Sequence, residues 1–231
     1  MTHSLENVIE LPNFALAHRV RSSQVQASGK TPCLILLHGV GANEVGLIEL
    51  AKRQDPRLVV VLARAPLSFG PSQFGWFQVA FTAQGPAINA DQAESARQRL
   101  LSFISQLPDA YGVDAKRIWI AGFSQGGIMS ASVALTEPAK VAGFGIFSGR
   151  ILPEIQPLLG PALALKQVHA FISHGQEDQK LGIHFARSAR NLVQSAGISL
   201  RYNEYAAGHE LNAAMQSDFE RWMAEQLSYS N

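Results

Sequence analysis

Ile118-Trp119-Ile120-Ala121-Gly122-Phe123-Ser124-Gln125-Gly126-Gly127-Ile128-Met129-Ser130 is the stretch from which the rest of the chain can be read. Its first four residues are apolar strand formers, and from Gly126 onward small and apolar residues suit a helix packed on a sheet. Between them, Gly122-Phe123-Ser124-Gln125-Gly126 is a G-x-S-x-G pattern with a strand before it and a helix after it. A sharp turn between strand and helix lifts a serine hydroxyl clear of the backbone, where a base and a carbonyl group can both reach it. Such a turn strains the serine backbone and crowds the residues two positions away on either side, which is why glycine is expected at 122 and 126. The amide of Gln125, opening the helix, is then free to face a developing oxyanion. A five-residue pattern recurs by chance, so its setting has to carry the argument.

That setting is an α/β chain. The 231 residues are 47% hydrophobic and 16% charged, enough for a large core within one domain covering residues 1–231. Net charge is +1, with no basic block, which argues against nucleic acid or an acidic membrane surface as a partner. The first residues lack the charged and apolar regions of a leader, and no apolar run is long enough to span a bilayer, so a cytoplasmic protein without integral membrane association is expected. The single cysteine, Cys33, sits in an apolar run and reads as a structural residue.

Along the chain, residues 14–20 suggest an early strand, 33–37 and 58–62 two buried strands around a helix over 44–54, and 91–107 a helix stopped at Pro108. Further strands follow at 118–121, 142–147, 168–172 and 200–205, with helices at 185–196 and 211–227 and an irregular connection over 151–167. Strand, helix and strand in close succession imply right-handed crossovers and a mainly parallel, doubly wound sheet flanked by helices. Residues 65–89 show no clear period yet carry several aromatics. A loop of that length usually has a use, and Phe74, Trp76 and Phe77 are candidate walls of a substrate pocket, the plainer alternative being a satellite core beneath the loop.

In a parallel sheet the carboxyl ends of the strands open on one edge, where ligands bind. His38-Gly39-Val40, Ser124, the Glu177-Asp178 pair and His209 all fall there. Among the seven histidines, His3 and His18 precede the parallel core, His169 opens a strand and His184 lies in a helix. His38 and His174 each precede a glycine at a strand end and read as braces of the turn. His209, in a glycine-containing turn after the last strand, stands where the order nucleophile, acid, histidine puts the general base. The acid is Asp178 or its neighbour Glu177. Gly39-Val40-Gly41 lacks the residues of a phosphate loop and reads better as a second oxyanion contributor through the Val40 amide. No histidine or cysteine spacing fits a metal, and a serine mechanism needs no cofactor. Arg150, just past a strand end, reads as solvent-facing, with contact to an acidic leaving group as the alternative.

Leu36-Leu37-His38-Gly39-Val40-Gly41, Gly122-Phe123-Ser124-Gln125-Gly126-Gly127, His174-Gly175-Gln176-Glu177-Asp178 and Gly208-His209 together resemble the phospholipase/carboxylesterase family of α/β-hydrolases, over roughly residues 32–227. The resemblance implies an α/β-hydrolase fold with little or no lid. It also implies Ser124 as nucleophile, Asp178 as the acid, His209 as base, and the amides of Val40 and Gln125 as oxyanion hole. The implied reaction is hydrolysis of an acyl ester, thioester or lysophospholipid, and the aromatics of residues 65–89 suggest an apolar acyl chain of short to medium length. A lactone hydrolase of the dienelactone type and a noncatalytic binding protein on the same fold are the alternatives. Residues 65–89 and Gln179-Lys180-Leu181-Gly182 depart from the family pattern and bear on chain length and leaving group.

Overall fold

The computed structural model describes residues 5–25, 29–82 and 85–228; His3, the start of the chain and residues 83–84 of the 65–89 segment lie outside them. In chain order the elements are β1 (His18–Arg21), β2 (Thr31–Leu37), α1 (Ile48–Arg53), β3 (Val59–Ala63), β4 (Leu67–Gly70), β5 (Gln73–Gly75), β6 (Val79–Thr82), β7 (Gly85–Ile88) and α2 (Ala90–Tyr111). Then follow β8 (Val113–Phe123), α3 (Gln125–Thr136), β9 (Gly143–Phe147), α4 (Ala162–Leu165), β10 (His169–Gly175), α5 (Ile183–Ser195), β11 (Ser199–Tyr205) and α6 (Ala213–Ser228).

Seven strands form one sheet in the order β1-β3-β2-β8-β9-β10-β11. Only β1 runs antiparallel to its neighbour; the remaining pairs are parallel. From β2 the chain steps outward to β3, then returns to the far side of β2 with β8 and continues outward through β9, β10 and β11. The reversal of strand order falls between β2 and β8, and that crevice is where a doubly wound sheet receives a ligand. Register places Leu37 opposite Gly122 and Phe123 opposite Phe147, so His38, Ser124 and Ser148 leave the sheet side by side.

The sheet is covered on both faces, which is why its strands read as unbroken apolar runs. Alternate residues of β2 divide between the faces: Cys33, Ile35 and Leu37 join a cluster with Leu100 and Phe103 of α2 and Met129 of α3. Leu34 and Leu36 join Leu50 of α1 and Phe219, Trp222 and Met223 of α6 on the other. All of α3 is buried. Among the described residues no helix is long and apolar enough to cross a membrane.

Two expectations change. Pro108 lies inside α2, which runs on to Tyr111 and stops at Gly112 in a left-handed conformation, φ 65°; a proline in the last turn removes one hydrogen bond without ending the helix. Residues 65–89 are not an irregular loop but two small antiparallel ribbons, β4 with β5 and β6 with β7. Strands of three or four residues are too short to show an alternating pattern.

Candidate active site

The site is built at the turn between β8 and α3. Ser124 has φ 53° and ψ −115°, a strained conformation for a residue with a side chain. Neighbouring backbone holds it there: the Ser124 amide donates to Phe147 O at 2.8 Å, and Ile128 N donates back to Ser124 O at 3.1 Å. A Cβ at Gly122 would stand 2.6 Å from the Leu37 carbonyl oxygen, and one at Gly126 2.8 Å from that of His38. Only glycine lets the elbow press on the end of β2.

Two loops from the far side of the sheet meet the elbow. His209 Nε2 lies 2.9 Å from Ser124 Oγ, and His209 Nδ1 lies 2.7 Å from Asp178 Oδ2. Asp178 is buried, and its other oxygen accepts from the amides of Lys180 and Leu181 at 2.9 and 2.8 Å. With the carboxylate so held, Nδ1–H donates to Asp178 and Nε2 is left to accept from the serine hydroxyl. Glu177 is exposed and it is Asp178 that His209 meets, so the choice left open between the two carboxylates falls on Asp178 in the geometry. The loops are lashed to each other: Gln176 N donates to Tyr205 O and Glu177 N to Ala207 O. Ser148 Oγ donates to Glu210 O at 3.0 Å, tying the turn that carries His209 to the end of β9.

His38 lies outside that chain of hydrogen bonds, and His174 touches it only at Asp178. His38 Nε2 accepts from the Ala65 amide at 3.0 Å while Nδ1 donates to Gly39 O at 2.8 Å, which fixes a neutral ring bracing the turn after β2. Burial pushes its pKa down. His174 is fully buried, donates to Leu181 O at 2.6 Å and packs 3.2 Å from Asp178 Oδ2; burial lowers its pKa too.

The Val40 side of the crevice is set by the segment after β4. Gly41 N donates to Phe74 O and Phe74 N to Ala42 O, both at 2.8 Å. The Val40 amide, one residue before them, takes part in no such bond among the described residues. Gln125, as the first residue of α3, has an amide without an intrahelical acceptor. Its side chain, which sequence reasoning overlooked, clamps the same segment: Oε1 accepts from Trp76 N at 2.7 Å and Nε2 donates to Phe77 O at 2.6 Å.

A small cavity, open on one side, lies over Ser124, Gln125 and His209. Phe77, Val79, Pro86 and Ile88 line it together with Ile128, Leu181, Val40 and Arg150. Of the three aromatics proposed as walls only Phe77 lines it. Trp76 is fully buried, its indole N–H donating to His38 O at 3.0 Å, so it braces the loop that carries Val40. Phe74 lies beneath the Arg64 guanidinium, 4.8 Å from ring centre to charge. Arg150, read as solvent-facing, is buried; a position just past a strand end does not reveal that the β6–β7 ribbon folds over it.

Comparison with known proteins agrees with this architecture. The chain belongs to the phospholipase/carboxylesterase family of α/β-hydrolases, whose family model matches residues 19–225. It is 25% identical over 222 residues to an acyl-protein thioesterase 1 of Emericella nidulans, covering 87% of this chain and 92% of that one. To the esterase YpfH of Escherichia coli it is 30% identical over 172 residues, 71% of this chain and 69% of that one. The crystal structure of a carboxylesterase from Mesorhizobium loti superposes with a TM-score of 0.79 at 22% identity, covering 95% of this chain and 99% of that chain, and shares the fold.

Proposed function

We propose that this chain is a serine carboxylesterase that hydrolyses short acyl esters through an acyl-enzyme. The observation that carries the reading is the unbroken run from Ser124 Oγ to His209 to Asp178, at 2.9 and 2.7 Å, beside two backbone amides at the reversal point of the sheet. Ser124 attacks the ester carbonyl as His209 Nε2 takes the hydroxyl proton; Asp178 holds the ring and stabilises its charged form. The oxygen that gains charge is received by the amides of Val40 and Gln125. His209 returns the proton to the departing alcohol, and water, activated by the same nitrogen, then releases the acid and restores Ser124. A thioester carbonyl can follow the same course, which suits relatives named acyl-protein thioesterase. The cavity over Ser124 is small and lined mostly by apolar side chains, which favours short acyl chains.

The test is hydrolysis of p-nitrophenyl esters from acetate to decanoate by the wild type and by Ser124→Ala. The wild type should work best on the shorter chains, and the variant should lose about a thousandfold or more in kcat. Equal rates for the two proteins would sink the proposal.

A further inference from the structure

Arg150 is the one lining residue of the cavity with a permanent charge. It is 9% exposed. Its guanidinium makes one long hydrogen bond, from Nη2 to Pro86 O at 3.3 Å, and lies over the Phe185 ring at 5.2 Å. Among the described residues no carboxylate forms an ion pair with it, and Glu154 acts on it only from a distance. A cation taken out of water without a counter-charge is unfavourable. A carboxylate brought in by a substrate would supply the paired partner that the distant Glu154 does not.

Position says where it would lie. Gly149 packs on the elbow, where a Cβ would stand 3.0 Å from Ser124 O, so Arg150 rises from backbone in contact with the nucleophile's own turn and shares its cavity. We infer that Arg150 is a specificity residue that pairs with a carboxylate of the substrate lying a few bonds from the scissile carbonyl. The substrate class is then a half-ester of a short dicarboxylic acid, or an ester of a carboxylate-bearing alcohol. A planar guanidinium matches a single carboxylate with two parallel hydrogen bonds; a doubly charged phosphate would meet only this one fixed cation. The inference rests on the esterase reading above and narrows it.

The experiment compares kcat/KM for two matched pairs: monoethyl succinate against ethyl butyrate, and 4-acetoxybenzoate against its methyl ester. Wild type, Arg150→Met and Arg150→Lys are assayed. The wild type should favour the charged member of one pair by at least about tenfold, the succinate pair placing the carboxylate on the acyl side and the benzoate pair on the alcohol side. Arg150→Met should cut that ratio by about thirtyfold, and Arg150→Lys should restore part of it. A wild type indifferent to charge in both pairs, or a ratio unmoved in Arg150→Met, overturns the inference. If Arg150→Met does not fold, the wild-type ratios and Arg150→Lys decide. Hydrolysis of ethyl butyrate that vanishes in Ser124→Ala keeps the esterase reading standing even when the charge preference fails; no hydrolysis of any of the four esters removes both.

Discussion

The β1 side of the sheet and the cavity at its carboxyl edge both take arginines wholly or partly out of water, and they treat them in opposite ways. Arg21, in β1, gives its terminal nitrogens to five backbone carbonyls, those of Ala51, Lys52, Gln54, Asp55 and Leu58. Arg64 forms a two-pronged pair with Glu44 at 2.7 and 2.8 Å, and Arg19 reaches the same carboxylate at 3.2 Å. Every one of those guanidiniums has acceptors at its ends. Arg150 has a single long bond. The unpartnered Nε is no guide, since Arg21 leaves its own unpaired as well; what separates a cation that holds the fold from one that awaits a ligand is whether its ends are satisfied.

The comparison breaks if the saturated cluster proves dispensable. Glu44 gives the largest expected effect. Burial works against its ionisation, but hydrogen bonds from Arg64 and Arg19 overcome this and draw its pKa from the usual 4.5 to about 2. A folded-state pKa below the unfolded one means that the stabilisation is complete above about pH 4.5 and disappears as pH falls through about 2. Glu44→Gln should lower the unfolding free energy by about 3 kcal/mol at pH 7, because it removes the buried carboxylate that Arg64 and Arg19 share, Arg64 keeping Glu10 and Arg19 the carbonyls of Leu5 and Glu6. Urea titrations of both proteins should show the gap closing between pH 4.5 and 2. A gap independent of pH would mean that the carboxylate charge contributes nothing.

Arg21 sharpens the contrast at a slightly smaller scale. Arg21→Met leaves five carbonyls short of a donor, some of them able to find water, and should cost about 2 kcal/mol, a fall in Tm of roughly 4–8 °C for a chain of this size. Its kcat/KM on butyrate esters should not change, since Arg21 is remote from the carboxyl edge. Arg150→Met, melted alongside, should stay within about 2 °C of the wild type, because replacing an unpaired buried cation by an apolar chain is near neutral. If Arg150→Met melts as low as Arg21→Met, the two arginines play the same structural part.

The sequence shows some of this and hides the rest for physical reasons. The buried parallel strands are legible because both of their faces are covered, and the elbow because Gly122 and Gly126 have backbone where a side chain would be. His38 is legible as a brace, since a histidine before a glycine at a strand end has carbonyl and amide groups within reach. What escapes is whatever depends on contacts across long chain distances. β8 begins at Val113, five residues before its apolar run, because Asp114, Lys116 and Arg117 decorate a segment held by its neighbours. The side chain of Gln125 clamps residues almost fifty positions earlier. Arg150 is covered by a ribbon whose strands are too short to announce themselves.

Trp76 carries the smallest expected effect and the finest discrimination, because it is adjacent in sequence to Phe77 and differs from it in what it faces. Phe77 lines the cavity; Trp76 is fully buried and its one polar atom is bonded to His38 O. Trp76→Phe keeps an aromatic ring in the core and removes that donor, leaving a buried carbonyl unsatisfied at the foot of the loop that presents Val40. The loss should be about 1 kcal/mol, or roughly 2–4 °C in Tm. The acyl-chain profile should keep its optimum, since no wall has moved, while kcat falls a few-fold across all chain lengths as the Val40 amide loses its firm support. An optimum displaced toward longer chains would put Trp76 on the pocket wall after all, and would make the ribbon segment, not the brace beneath it, the part of this site that residue serves.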